Sequence, residues 1–159
     1  ITLKKNNIIY VEQEDKELGY VGKPKRIDSK LLKEIIKEDF VPVIVPMGLD
    51  EKGISYNINA DTAAGAIARS IKSRRLMLLT DIDGVLDNND KLISEINTMK
   101  AKELIDSEII HGGMIPKVKT CIDAINNGVR AVVIIDGRKP HSILFELFSD
   151  KGAGTLIRK

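Results

Sequence analysis

Apolar residues along this chain recur at two alternating spacings. Leu31, Leu32, Ile35 and Ile36 repeat at helical intervals behind Ser29, which reads as the helix cap. Ala60, Ala63, Ala64, Ile67 and Ile71 mark the face of a second helix. Met99 to Ile105 forms a modest third helix. Ile115, Val118, Ile122 and Ile125 line a fourth, which Gly128 closes as a C-terminal cap. A short helix is expected near His141 to Phe148. Between these lie strand-like runs. Ile8 to Glu12 and Gly19 to Val21 suggest a hairpin or small antiparallel element. Val41 to Val45 reads as a buried strand, short or at an edge because it carries Pro42. Tyr56 to Ile58 follows a turn at Asp50 to Gly53. Leu76 to Leu79, Ala131 to Ile135 and Thr155 to Ile157 complete the series, with a polar turn at Asp87 to Asp90. Strands alternating with amphipathic helices predict an α/β fold, a mostly parallel sheet covered on both faces. Ligands of such sheets sit at the carboxyl ends of the strands. No repeat or long linker interrupts residues 1–159, which read as a single domain-sized unit.

Composition narrows the ligand. The 25 basic and 23 acidic side chains nearly cancel and are dispersed, so neither a nucleic-acid stripe nor a membrane-binding patch stands out. A small, soluble ligand is expected. Cys121 is the one cysteine, set in an apolar helical pattern, which reads as a core thiol and fits a reducing cytoplasm. No apolar run approaches the roughly 20 residues that span a bilayer. The first residue, Ile1, is not an initiator methionine, and a fragment or processed product is expected.

Four loops fall where such a sheet binds ligands. In Asn57-Ile58-Asn59-Ala60-Asp61, Asn59 is placed to cap the following helix and Asp61 to favour its dipole, a contribution of about 1 kcal/mol. Asn57 precedes the cap and could offer its amide to a carboxylate ligand. Thr80-Asp81-Ile82-Asp83-Gly84-Val85-Leu86 follows an apolar strand and serves equally as a plain turn or a ligand loop. It is a poor calcium loop, with Leu86 and Leu92 where an EF-hand needs glycine and glutamate. In His111-Gly112-Gly113-Met114-Ile115-Pro116-Lys117, Pro116 suits the first helical position, which places Lys117 beside the positive end of the helix. A bound phosphate makes sense of that cation; a solvated lysine is the alternative. Asp136-Gly137-Arg138-Lys139-Pro140-His141, with Glu146, Gly152 and Gly154 downstream, reads either as a turn and helix start or as the receiver of a charged effector. Two histidines without clustered ligands argue against a metal centre.

Together Asn57 to Asp61, Leu79 to Leu86, Gly113 to Val118 and Gly152 to Thr155 resemble the acetylglutamate kinases in order and spacing, from about Leu18 to the end. The resemblance implies a three-layer αβα sandwich of the amino acid kinase or carbamate kinase type, here its carboxyl-terminal, nucleotide-binding portion. The amino-terminal portion, with its lysine and glycine-rich phosphate loops, is expected to be absent. It also implies phosphoryl transfer from ATP, carrying Mg2+, to the side-chain carboxylate of N-acetyl-L-glutamate in arginine biosynthesis. By position, Lys117 and Asp61 are the catalytic residues and Asn57 binds acetylglutamate. Asp81, Ile82, Asp83, Gly84, Val85, Leu86, Ile109, Ile110 and His111 frame the nucleotide. His141, Glu146, Gly152 and Gly154 resemble an L-arginine effector site. The metal rides on the phosphates, so no protein ligand is assigned to it. Weak or no activity of the isolated chain is expected, together with a homo-oligomer or pairing with an amino-terminal half. Two rivals remain. One is a haloacid-dehalogenase-type phosphatase using Asp81 as nucleophile and Asp83 as acid; the other is a non-catalytic nucleotide- or arginine-binding remnant. Uridylate kinases and aspartokinases share the fold but fit Asn57 to Asp61 and the helix-start lysine less well.

Overall fold

The computed structural model describes residues 7–159. Contacts sort the chain into two compact units, one ending at Ile71 and the other beginning at Lys72.

The first unit runs β1 (Ile9–Gln13), β2 (Gly22–Ile27), α1 (Ser29–Lys37), β3 (Met47–Leu49), β4 (Ser55–Asn57) and α2 (Ala60–Ser70). Its sheet has the order β2-β1-β3-β4, antiparallel between β1 and β2, parallel between β1 and β3, and antiparallel between β3 and β4. Ile9, Val11, Tyr56, Ile58 and Ala63 form its core, flanked by Ile8, Ile27, Ile44 and Ile67. The second arm of the hairpin begins at Gly22, later than the apolar text at Gly19 to Val21 suggests, because β2 is built largely from Lys23, Pro24, Lys25 and Arg26. The α1 cap is Asp28, whose carboxylate accepts the Leu31 N–H at 3.0 Å; Ser29 is the first helical residue. In α2 the expected cap holds: Asn59 Oδ1 accepts the Thr62 N–H at 3.1 Å.

Val41 to Val45 departs most from expectation. The segment forms no strand; pairing starts only at Met47. Its exposure nevertheless alternates, with Ile44 inward while Val41 and Val43 are 88% and 93% exposed. Pro42 and Pro46 withhold two donors from one edge of this segment, and Met47 N–H turns back to the Val45 carbonyl at 2.8 Å.

The second unit runs β5 (Arg75–Thr80), β6 (Glu95–Asn97), α3 (Thr98–Asp106), α4 (Met114–Asn126), β7 (Ala131–Asp136), α5 (Ser142–Phe148) and β8 (Gly154–Arg158). Its sheet has the order β5-β7-β8-β6, with β5 and β7 parallel, β7 and β8 antiparallel, and β8 and β6 parallel. The chain is α/β, with mixed strand directions in both sheets. Val132, Val133, Ile134 and Ile135 are all fully buried. Since neighbours on a strand point to opposite faces, both faces of β7 are covered. Burial of such side chains contributes about 1.5–3 kcal/mol each. Helix α4 packs on β7 and β8, α3 on β6, β8 and α4, and α5 on β7. Cys121 is buried in α4, as its apolar setting predicts. Among the described residues no helix is long and apolar enough to cross a membrane.

Candidate functional site

A cleft of about 610 Å³ opens in the second unit where β5 ends. One wall is Thr80, Asp81 and Ile82, then Gly84, Val85 and Leu86; another is Ile109, Ile110 and His111; Gly112, Gly113, Met114 and Lys117 close it. Two segments separated in sequence, 80–90 and 109–117, therefore meet at one strand end, the position that an α/β sheet reserves for ligands.

Each wall has a local cause. Residues 84–93 make a small hairpin: Ile93 N–H bonds to the Val85 carbonyl at 2.9 Å, and Leu86 bridges Leu92. Asp87 turns its tip by accepting the Asn89 and Lys91 N–H groups at 2.8 and 3.0 Å, and these bonds hold its carboxyl below the usual carboxylate range. Gly84 has φ 147°, and a β-carbon there would lie 2.6 Å from Thr155 Oγ1, so only glycine fits. The Ile109 to His111 wall is pinned by Ile110 N–H on the Leu104 carbonyl at 2.9 Å.

Helix α4 starts at Met114, two residues before the expected start, so Pro116 is its third residue and Lys117 its fourth. The proline still costs no helical bond, because its N–H would be an orphan. The earlier start changes which amides face the cleft. Met114 and Ile115 N–H groups bond back to the His111 and Gly112 carbonyls at 3.3 and 3.2 Å. Gly112 and Gly113 N–H groups carry no backbone bond among the described residues, and no side chain caps the helix. Gly112, Gly113 and the half-buried Lys117 line the cleft and are its candidate donors to an anion, while Asp81, Asp87 and Asp90 line it as well.

Asp83 alone of the 81–86 loop faces away from the cleft. Its Oδ1 pairs with Lys139 Nζ at 2.8 Å. Beside it, buried Asp136 ends β7 in register with Thr80 and accepts three bonds from Arg138: the backbone N–H at 2.9 Å, Nε at 3.0 Å and Nη2 at 2.9 Å. The Arg138 guanidinium foremost, and its backbone N–H next, hold the Asp136 carboxyl down at about 2. Much of the ionisable cluster read from the sequence is thus paired internally.

The suggested effector residues also have structural work. Glu146 is buried, takes the Ala153 N–H on Oε2 at 2.8 Å, and faces Arg75 Nη1 from Oε1 at 3.4 Å. Gly152 has φ 68°, and a β-carbon there would come within 2.8 Å of the same Oε2. Gly154 opens β8 and is buried, while His141 precedes α5 in a left-handed conformation and is exposed. His141 and Gly152 line a separate hollow of about 510 Å³; Glu146, Gly152 and Gly154 line another of about 230 Å³.

In the first unit, Asn57 ends β4 with an exposed side chain and its N–H held by the Tyr20 carbonyl at 2.8 Å; Asp61 lies in the first turn of α2. Among the described residues no group of three His, Cys, Asp or Glu side chains is placed to hold a metal ion. Sequence reasoning placed Thr155 in the last strand and at the end of a family motif but gave it no role in the site; its hydroxyl takes the Val85 N–H at 2.8 Å and donates to the Ile93 carbonyl at 2.7 Å. No local pattern reports a contact across 70 residues.

The profile of the amino acid kinase family matches residues 3–136. An acetylglutamate kinase from Pelagibacter ubique is 63% identical over 159 residues, 100% of this chain and 55% of that protein. Another, from Rhodopseudomonas palustris strain BisB18, is 50% identical over 143 residues, 90% of this chain and 48% of that protein. The chain spans about half the length of the curated relatives it matches. Among solved structures, N-acetylglutamate synthase from Neisseria gonorrhoeae, complexed with coenzyme A and L-arginine, has a TM-score of 0.89. That match covers 97% of this chain and 37% of the synthase at 24% identity, which is a likeness of fold.

Proposed function

This chain belongs to the amino acid kinase family, and from that premise we propose that it is the nucleotide-holding portion of an acetylglutamate kinase of arginine biosynthesis, the activity for which its 63%-identical relative is named. A carboxylate oxygen of N-acetyl-L-glutamate bonds to the γ-phosphorus of ATP, the bond from phosphorus to the β,γ-bridging oxygen breaks, and ADP leaves. Such a transfer depends on positioning and charge neutralisation and needs no protein nucleophile. The observation that carries the reading is the cleft at the end of β5, which Gly112, Gly113 and Lys117 line together with the 80–86 loop.

Each residue has a part. Asp81, Ile82, Gly84, Val85, Leu86, Ile109, Ile110 and His111 frame the nucleotide, and Asp83 braces their loop through Lys139. Lys117 stabilises the charge on the transferring group. Asn57 binds acetylglutamate and Asp61 orients the catalytic lysines. Magnesium neutralises part of the phosphate charge and arrives on ATP, so no protein ligand is assigned to it; Asp81, Asp87 and Asp90 also line the cleft. The L-arginine effector reading of His141, Glu146, Gly152 and Gly154 rests on the family resemblance; Glu146 is paired with Arg75, and His141 lines a different hollow. The chain acts in the cytoplasm as a homo-oligomer or together with an amino-terminal half that completes the pocket. The phosphatase reading is not favoured by the family match.

Calorimetric titration with MgATP tests this. Lys117→Ala should weaken binding and lower any acyl-phosphate formation on N-acetylglutamate by about 10²- to 10³-fold, the scale of losing one oriented donor. Unchanged affinity in the variant would overturn the assignment of Lys117 and the cleft.

A further inference from the structure

We propose that Thr155 is a positioning residue for the nucleotide cleft, and that its hydroxyl sets the distance between the Gly84 to Leu86 wall and the rest of the site. The inference rests on the nucleotide reading of that cleft and adds a residue to it.

Thr155 belongs to the sheet, not to the loop it serves. It is fully buried and its backbone lies in the β7–β8 ladder, opposite Ile134. Its side chain reaches out of that ladder to the neck of the 84–93 hairpin. There Oγ1 accepts the Val85 N–H at 2.8 Å and donates to the Ile93 carbonyl at 2.7 Å, holding both arms at once. Only a hydroxyl can accept and donate from one atom in that space. The β-branch leaves Thr155 few rotamers, so the anchor is stiff. Glycine at 84 lets the arm lie against the oxygen, since a β-carbon there would also come within 2.8 Å of Leu92 Cδ1.

The next backbone bond, Leu156 N–H to the Ser94 carbonyl at 2.8 Å, opens the β6–β8 pairing. The hydroxyl thus extends the sheet by one step to the point where the cleft wall begins. Loosening that step leaves the wall attached through the hairpin's own bonds but no longer fixed to the sheet. Nucleotide affinity then falls because the wall must be ordered on binding.

The test compares Thr155→Val, which keeps the shape and removes the hydroxyl, with Thr155→Ser, which keeps the hydroxyl. Two readouts are taken: MgATP affinity by calorimetry, and amide hydrogen exchange at Val85 without nucleotide. Thr155→Val should weaken MgATP binding about tenfold and speed Val85 exchange at least tenfold, while exchange in the α4 core at Cys121 and Ile122 is unchanged. Thr155→Ser should stay within about threefold of the parent on both readouts. Val85 exchange that stays at the parent rate in Thr155→Val overturns the anchor, as does Thr155→Ser matching Thr155→Val. Fast Val85 exchange with unaltered MgATP affinity overturns its role in binding. Absence of MgATP binding in the parent chain overturns the nucleotide reading itself, whereas the exchange data still decide whether the hydroxyl holds the wall.

Discussion

Two apolar runs of similar text, Ala131 to Ile135 and Val41 to Val45, meet opposite fates. The first lies between β5 and β8 with four consecutive side chains fully buried; the second joins no ladder and leaves Val41 and Val43 almost wholly in solvent. Both runs ask for burial, but a strand is completed by its neighbours. The second unit supplies two neighbours, each donating and accepting along six- and five-residue strands. Across Val41 to Val45 no pairing forms among the described residues, and its prolines withhold donors on the edge nearest Ile58, whose N–H reaches the Pro46 carbonyl. A run of valines and isoleucines therefore reports a requirement for a sheet, and the sheet decides whether it is met.

The contrast can be broken most forcefully by truncation. Ile134→Ala should cost about 2–5 kcal/mol and Val43→Ala no more than about 0.5 kcal/mol, read from urea unfolding midpoints. Equal losses would show that the two runs are packed alike. A smaller effect separates the ion pairs of the two units. Glu146→Ala strips acceptors from Arg75 and the Ala153 amide in a buried place and should cost about 1–3 kcal/mol, whereas Glu51→Ala, which removes the exposed pair with Lys25, should stay below about 0.5 kcal/mol. The mildest test is acid. Asp136 has a lower pKa folded, about 2, than its ordinary 3.8, so the unfolded chain takes up the proton first. Its contribution is complete above about pH 4 and is lost as pH falls towards 2. Melting temperatures from pH 5 to 2 should accordingly drop less steeply in Asp136→Asn than in the parent.

Helices were the most legible part of this chain. Asn59, Asp61 and the apolar stripe behind them specify α2 locally, and so they read correctly. Asp28 and Ser29 are both good caps, and only geometry chooses between them. Strands were legible where their text is apolar, as in central β7 and in β5 at the sheet edge, and obscure where it is charged or short, as in β2 with its Lys-Pro-Lys-Arg text and β6 at Glu95–Asn97. In the candidate site, Gly84, His111 and Lys117 were visible because turn and helix-start chemistry is local. Lys139 on Asp83 and Thr155 on Val85 depend on how β7 and β8 are placed, which no spacing along the chain encodes; Arg138 on Asp136 is a local contact between residues two apart.

The neck between Gly84 and Thr155 also limits how this protein can drift. A single nucleotide change in a glycine codon commonly yields alanine, serine, aspartate or valine, and at Gly84 each would meet both a backbone angle unsuited to a side chain and an oxygen 2.6 Å from its first carbon. Removing that oxygen leaves both the angle and Leu92 Cδ1, 2.8 Å from the added carbon. Thr155 can exchange with serine and keep its bonds, so tolerance at the neck is one-sided: the anchor accepts another hydroxyl, and the glycine accepts no side chain.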